Sequence, residues 1–175
     1  VASAKKLAVV GAGPAGLAFA TYAAERGHDV HIFDKASEIG GQFNYAKQIP
    51  GKEEFYETLR YYGKRIEALG ITLHLNTEVT AQTLTPFSFD EVVMATGIKP
   101  RQLDIPGIDH PSVMSYLDVL RDHKPVGQRV ALIGAGGIGF DVAEYLVEKE
   151  SITTDLNKWL THWGIDKDYK QPGAL

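Results

Sequence analysis

Leu7-Ala8-Val9-Val10-Gly11-Ala12-Gly13-Pro14-Ala15-Gly16-Leu17 is the stretch on which the reading of this chain turns. A short apolar run ends at a glycine, as expected of a strand buried on both faces of a parallel sheet. From Pro14 to Arg26 most residues are helix formers. Pro14 sits where an early helical turn tolerates it, and Gly27 is placed to close the helix in a left-handed conformation. Asp29 to Phe33 then reads as a second strand. Strand, glycine turn, helix and strand in this order predict an α/β, Rossmann-like fold: a parallel sheet with flanking helices.

Gly11, Gly13 and Gly16 stand in G-x-G-x-x-G order. They allow, respectively, a tight turn, close approach of a pyrophosphate and intimate contact between helix and strand. The helix start offers N–H groups and a partial positive charge to the pyrophosphate, with Pro14 and Ala15 in its first turn. Asp34 ends the second strand, where a carboxylate accepts hydrogen bonds from adenosine ribose hydroxyls. Glycines in a turn and an aspartate after a strand also have purely structural explanations. Their combination in this order favours a nucleotide site.

Further along, Glu53 to Leu69 places Phe55, Leu59, Tyr62, Ile66 and Leu69 on one face at helical spacing, with acids in the first turn and Gly70 after it. This helix is expected to cover the sheet, although Gly63 inside it costs about 1 kcal/mol relative to alanine. Ile71 to Leu75 reads as a third strand. Between Thr77 and Phe89, short β-prone pieces with Pro86 suggest an excursion from the sheet. Glu91-Val92-Val93-Met94-Ala95 is expected to return as a buried strand ended by Thr96-Gly97. Pro100, Pro106 and Pro111 break up the next segment, before Ser115-Tyr116-Leu117-Asp118 offers a capping box for a short helix. Residues 98–128 therefore read as a connector. Arg129-Val130-Ala131-Leu132-Ile133 runs into Gly134-Ala135-Gly136-Gly137-Ile138-Gly139, repeating the first strand, glycine loop and helix about 123 positions on. Two such folds in succession suggest two nucleotides juxtaposed for electron transfer.

The composition is 44% hydrophobic and 23% charged, that of an ordinary globular protein rather than a disordered or fibrous one. A net charge of -4 argues against non-specific nucleic-acid binding, which needs a basic face, and nothing suggests a membrane span. The absence of cysteine excludes disulfides, thiolate nucleophiles and cysteine-ligated metal within this stretch. Lys5-Lys6 before a small apolar run resembles a signal peptide only superficially, because three glycines and a proline interrupt that run. A cytoplasmic location is the expectation. A chain beginning Val1-Ala2-Ser3, without an initiator methionine, is expected to be a piece of something longer. His28, His31, His74, His110, His123 and His162 show no metal-binding spacing and are expected to be surface or satisfied residues.

The continuation Asp34-Lys35-Ala36-Ser37-Glu38-Ile39-Gly40-Gly41-Gln42, with Ala95-Thr96-Gly97 ending a later strand, resembles the two-dinucleotide-binding-domain flavoproteins. That resemblance favours FAD at the first loop. It narrows at Gly40-Gly41-Gln42-Phe43, Gln48-Ile49-Pro50-Gly51-Lys52-Glu53-Glu54-Phe55 and Tyr116-Leu117-Asp118-Val119-Leu120. Together with Gly134-Ala135-Gly136-Gly137-Ile138-Gly139-Phe140-Asp141, these are similar to the bacterial NADPH-dependent 2,4-dienoyl-CoA reductases over essentially the whole chain. In that family an FMN-containing (β/α)8 barrel precedes this region, a cysteine-bound 4Fe-4S cluster joins the halves, and FAD receives hydride from NADPH. The resemblance implies an electron-input piece, with the FMN barrel of the same protein as partner and the substrate acid/base groups in that missing part. Related barrel-fused NADH oxidase-like or amine-dehydrogenase-like proteins share the pattern. An FAD-binding or assembly module without turnover is the third alternative.

The implied organisation is an FAD-binding domain with its connector over 1–128 and an incomplete NAD(P)-binding domain over 129–175. The implied cofactor-binding residues are Gly11, Gly13, Pro14, Ala15, Gly16, Asp34, Lys35, Gly41, Gln42, Val79, Ala95, Thr96 and Gly97. Lys52 either reaches FAD phosphate or ribose or is a solvated lysine at a helix start. Gly134, Gly136 and Gly139 either contact NADPH pyrophosphate in the intact protein or simply make a tight connection. No hydrophobic strand ending in an acid or arginine follows Gly139 at the expected distance, so the selector for the 2′-phosphate is expected beyond this sequence. Instead Asp155 is placed to cap a short helix presenting Leu156, Trp159, Leu160 and Trp163, followed by a polar tail. The tryptophan pair reads as core or domain-contact surface rather than a cofactor platform. No catalytic residue and no metal ligand is assigned.

Overall fold

The computed structural model describes residues 3–148, 150–168 and 170. The polar tail expected after Trp163 falls partly on residues 169 and 171–175, which lie outside the described residues. The chain forms two compact units. The first comprises Val1–Asn44 with Phe55–His110, and the second Tyr45–Glu54 with Pro111–Leu175.

The first unit is the expected α/β fold. Strands β1 (Lys6–Val10), β2 (Asp29–Phe33), β3 (Thr72–His74) and β4 (Glu91–Met94) form one sheet in the order β3-β2-β1-β4. All three pairings are parallel, with Val9 opposite Ile32 and Val93, and Ile32 opposite Leu73. Helix α1 (Pro14–Glu25) links β1 to β2. Its Leu17, Ala20 and Thr21 are buried, and the Thr21 hydroxyl donates to the Leu17 carbonyl, so the buried oxygen is satisfied. Gly27 closes the helix with φ +88°. The His28 N–H returns to the Ala23 carbonyl and the Gly27 N–H to that of Ala24, the paired bonds of a Schellman end.

The sheet is covered on both faces. Leu7, Val9, Val30 and Ile32 pack with Leu17, Ala20 and Ala23 of α1 and with Ile66 of α3 (Glu54–Leu69). Each such fully buried aliphatic side chain contributes roughly 1.5–3 kcal/mol. Tyr62 and Leu69 join the same cluster, so α3 covers the sheet with three of the five side chains anticipated, whereas Phe55 packs on Phe43, and the helix runs unbroken through Gly63. The alternate side chains of β2, His31 and Phe33, point to the other face, where they meet His74, Phe87 and Phe89. The Phe33 and His74 rings stack at 4.3 Å. Lys6 Nζ donates to the Phe87 carbonyl and lies 5.4 Å from the Phe89 ring centre.

Two expectations within this unit are corrected. The excursion between Thr77 and Phe89 is helical rather than β-prone: α4 (Ala81–Leu84) is followed by a 3-10 turn over Thr85–Phe87. Thr80 and Thr83 form a reciprocal capping box that starts α4, and this local bonding overrides the β propensity of threonine. The return strand β4 is an edge rather than a buried strand. Among the described strands it pairs only with β1, leaving Val92 46% and Met94 69% exposed.

In the second unit, α5 (Tyr116–Leu120) begins at the anticipated capping box, with Ser115 and Asp118 bonding each other's backbone N–H. Helix α6 (Gly137–Val147) follows the second glycine loop, and α7 (Leu156–His162) is capped by Asp155, which accepts the N–H groups of Asn157 and Lys158. Ile49, Leu120 and Val142 form this unit's buried cluster, flanked by Tyr45, Tyr116, Tyr145 and Leu146. The strand expected over Arg129–Ile133 is absent, and Val130, Leu132 and Ile133 are exposed. A strand exists through its ladder, and no described strand pairs with this run. Between Gln42 and α3 the chain passes through α2 (Phe43–Ala46).

The β2–β3 stack makes acid stability measurable. His74 Nε2 and His31 Nδ1 lie 3.1 Å apart, and His31 Nε2 faces Asp29 at 3.5 Å, with Lys6 over the neighbouring rings. Burial, and then the neighbouring His31, hold the His74 imidazole below its ordinary value. The unfolded chain therefore takes up a proton, near the usual histidine pKa of about 6.5, that the folded chain resists. Stability should be full above that pH and fall as acidification passes through the window below it. The thermal midpoint of His74→Phe, which keeps the stack, should lose much of that dependence. An unchanged slope would remove His74 from the acid transition.

Candidate dinucleotide-binding site

The site begins where β1 runs into its glycine turn. Gly11 has φ +113°, and its N–H donates to the Phe33 carbonyl. A Cβ there would lie 2.2 Å from the Ala95 carbonyl oxygen, so the turn is pressed against the end of β4. Gly16 faces back onto the turn, and a Cβ on it would lie 1.9 Å from the Gly11 carbonyl oxygen. Gly13 differs from both. It is the N-cap of α1 in extended conformation, φ -76° and ψ 179°, and a Cβ would meet nothing within 4 Å. Two glycines are thus required by the protein's own packing, whereas the third leaves open space.

That space lies at an uncapped helix start. No side chain caps α1, and Pro14 has no N–H to satisfy. The N–H groups of Ala15 and Gly16 have no intrahelical partner by the geometry of a first turn, and the helix dipole adds positive potential there. Open space over an extended glycine beside free donors fits a pyrophosphate.

Asp34 holds this turn in place. One carboxylate oxygen accepts the Ala12 N–H at 2.7 Å, and the other accepts the Ala36 N–H at 2.8 Å. Each oxygen retains a second lone pair, so ribose hydroxyls and loop amides can share the carboxylate. The glycine pair is latched to the same turn: the Gly40 N–H donates to the Ala12 carbonyl at 2.8 Å. A Cβ on Gly41 would lie 3.1 Å from the Gly13 Cα. Gly40 was not among the anticipated site residues, yet it is buried with φ +119° and hemmed in by Leu59 and Asn44. Its position in the Gly40-Gly41 pair was the available signal.

The structure therefore brings Gly11 to Gly16, Asp34, Gly40, Gly41 and Ala95 together. Lys35 is exposed beside Asp34, Gln42 follows the latch, Val79 is half-buried after β3, and Thr96 and Gly97 lie exposed after β4. Lys52 belongs to the second unit, with its Nζ 2.6 Å from Asp141 Oδ1. Among the described residues, no group of three potential metal ligands is gathered, and no helix is long and apolar enough to cross a membrane.

The second glycine loop repeats the first at backbone level. Gly134 has φ +111°, Gly136 is an extended N-cap without a side-chain cap, and a Cβ on Gly139 would lie 2.4 Å from the Gly134 carbonyl oxygen. The Phe140 N–H donates to the Gly136 carbonyl, as the Leu17 N–H does to that of Gly13. The difference lies beneath the loop, where Gly134 meets nothing corresponding to Ala95.

A family model described as pyridine nucleotide-disulphide oxidoreductase matches residues 5–160. A solved 2-naphthoyl-CoA reductase in complex with 2-naphthoyl-CoA aligns with 83% of this chain and 22% of its own, at 43% identity and a TM-score of 0.80. The cinnamate reductase of Clostridium sporogenes is 35% identical over 150 residues, covering 83% of this chain and 22% of the relative. A solved 6-hydroxypseudooxynicotine amine oxidase from Pseudomonas geniculata N1 aligns with 70% of this chain and 20% of its own, at 30% identity and a TM-score of 0.63. The chain spans about a fifth of the length of these relatives.

The glycines separate packing from ligand clearance. Gly16→Ala should destabilise the chain by at least about 2 kcal/mol, because the added carbon meets backbone that cannot move aside. Gly13→Ala should leave stability unchanged or raise it by up to about 1 kcal/mol, since its φ and ψ suit any residue. Chemical denaturation of the two variants checks this, and equal losses would contradict the assignment of separate roles.

Proposed function

The chain belongs to the pyridine nucleotide-disulphide oxidoreductase family, and we propose that it is the electron-input module of a longer flavin oxidoreductase, with FAD on the first glycine loop and NAD(P)H on the second. The observation that carries this reading is the latched turn at Gly13. Open space, free helix-start donors and the Asp34 carboxylate converge there, and Gly40-Gly41 lies against the same backbone. When bound, FAD supplies acceptance of a hydride from NAD(P)H and release of its electrons one at a time.

The chain's own residues bind and orient. Ala15 and Gly16 donate backbone N–H groups to pyrophosphate, and Asp34 accepts from ribose while holding Ala12. Gly41 leaves clearance beside Gly13, and Val79, Ala95, Thr96 and Gly97 supply the remaining wall of the first site. Gly134, Gly136 and Gly139 offer the second dinucleotide the same cradle. We place the domain division at residue 128, with the FAD-binding part before it and the beginning of an NAD(P)-binding part after it.

For the intact protein we propose an NADPH-dependent reductase of a conjugated acyl-CoA thioester, of the 2,4-dienoyl-CoA reductase type. It would carry an FMN barrel and a 4Fe-4S cluster in the part preceding this chain. The motifs quoted above support that reading, as does the likeness to a reductase solved with an aromatic CoA thioester. The likeness to an amine oxidase favours a second reading, in which the same input module serves oxidation of an amine. Assaying the full-length protein with dienoyl-CoA and with secondary amines separates them.

The purified chain with added FAD should keep a visible flavin spectrum after desalting, and anaerobic NADPH or NADH should bleach it. Gly13→Val should remain folded and lose flavin, because its side chain fills the pyrophosphate space. Undiminished FAD affinity in the folded variant would sink the assignment. Asp34→Ala should weaken FAD by roughly ten- to a hundredfold, given about 1.5–3 kcal/mol for hydrogen bonds to a charged group. A calorimetric titration showing no loss would remove Asp34 from the FAD site.

A further inference from the structure

Residues 45–54 follow the first site in sequence but belong to the second unit. They are pinned there at several points. Ile49 is 1% exposed in the cluster with Leu120 and Val142. The Gly51 N–H donates to both Ser151 Oγ and Glu53 Oε1, and the Thr153 hydroxyl donates to Glu53 Oε2 at 2.7 Å. Burial raises the Glu53 carboxyl, but the bonds from Ser151, Thr153 and the backbone outweigh it and hold the group below its ordinary value. The Lys52 N–H donates to the Ile49 carbonyl. The backbone around Lys52 is therefore fixed on both sides.

The Lys52 side chain is held differently. It pairs with Asp141 Oδ1, and the two side chains are 38% and 28% exposed. Asp141 lies on α6, two residues beyond Gly139 and just past the helix's first turn. Neither an acid nor a capping side chain occupies that first turn. A half-exposed lysine–carboxylate pair is weak in water, whereas a phosphate brings more charge and further acceptors to an ammonium. A four-carbon stem on a fixed backbone allows exchange between the two partners.

We infer that Lys52, supplied by this strap, is a phosphate-binding cation of the second glycine loop, neutralised by Asp141 until NAD(P)H arrives. The inference rests on the reading of that loop as a NAD(P)H site, and it moves Lys52 from the FAD site to the nicotinamide-nucleotide site. Asp141 has two opposing effects: it holds the ammonium beside α6, and its own charge repels phosphate when the lysine is removed.

The two partners therefore predict opposite outcomes. In the full chain loaded with FAD, calorimetric titration with NADPH and NADH should show Lys52→Met weakening binding by about tenfold, as loss of a charge-assisted bond does. Asp141→Asn should bind the same nucleotides as tightly as the unaltered chain or several-fold more tightly. Flavin absorbance should be unchanged in both variants, and Lys52→Arg should recover part of the loss. Equal weakening in both variants with a matching fall in thermal midpoint would make the pair a structural clasp and overturn the inference. Loss of flavin in Lys52→Met would return the lysine to the first site, also overturning it. Unaltered chain that binds neither nucleotide would refute the NAD(P)H reading itself, an outcome distinct from binding that ignores Lys52.

Discussion

Everything in the first unit is arranged around one close approach, that of Gly16 to the Gly11 carbonyl. At the distance a Cβ would face, 1.9 Å, no side chain fits, so helix α1 leaves the turn nearly touching strand β1. This contact fixes where the helix starts and aims its first-turn N–H groups. It also leaves Gly13 extended and unobstructed at the start of α1. Asp34 and Gly40 then tie the turn from two sides through the N–H and carbonyl of Ala12. A phosphate cradle made of backbone has no side chain to adjust, so its precision must come from such fastening.

The second loop shows how much of that geometry is local. Its dihedral angles and the Gly139 contact reproduce the first loop although Arg129–Ile133 forms no strand. Glycine spacing and the following helix suffice to set the turn. The sheet supplies the backing: Ala95 beneath Gly11 has no counterpart at Gly134. The two candidate sites therefore share a cradle and differ in support.

The parts of the molecule legible in sequence are those decided by neighbours in sequence. The first strand, turn, helix and second strand, the Schellman end at Gly27 and the caps at Ser115 and Asp155 all follow from residues a few positions apart. Features decided by distant partners were not legible. β4 has the composition of a buried strand, but with no second neighbour among the described strands it is an edge with Met94 exposed. His31 and His74 meet only through the parallel register of β2 and β3. Lys52 stands in the first fold's sequence, and only the path of residues 45–54 places it beside Asp141. For the candidate site, the G-x-G-x-x-G spacing located the glycine turn and helix start, whereas the Asp34 bond to Ala12 and the burial of Gly40 required the fold.

FAD phosphates are proposed to rest on the first glycine turn. Amide chemical-shift perturbation during titration of the isotope-labelled chain with FAD tests it residue by residue. The largest shifts are expected at Gly13, Ala15, Gly16 and Gly41, with Ala12 following because Asp34 shares its bond. Shifts confined to residues 134–139, or none at saturating FAD, would contradict it.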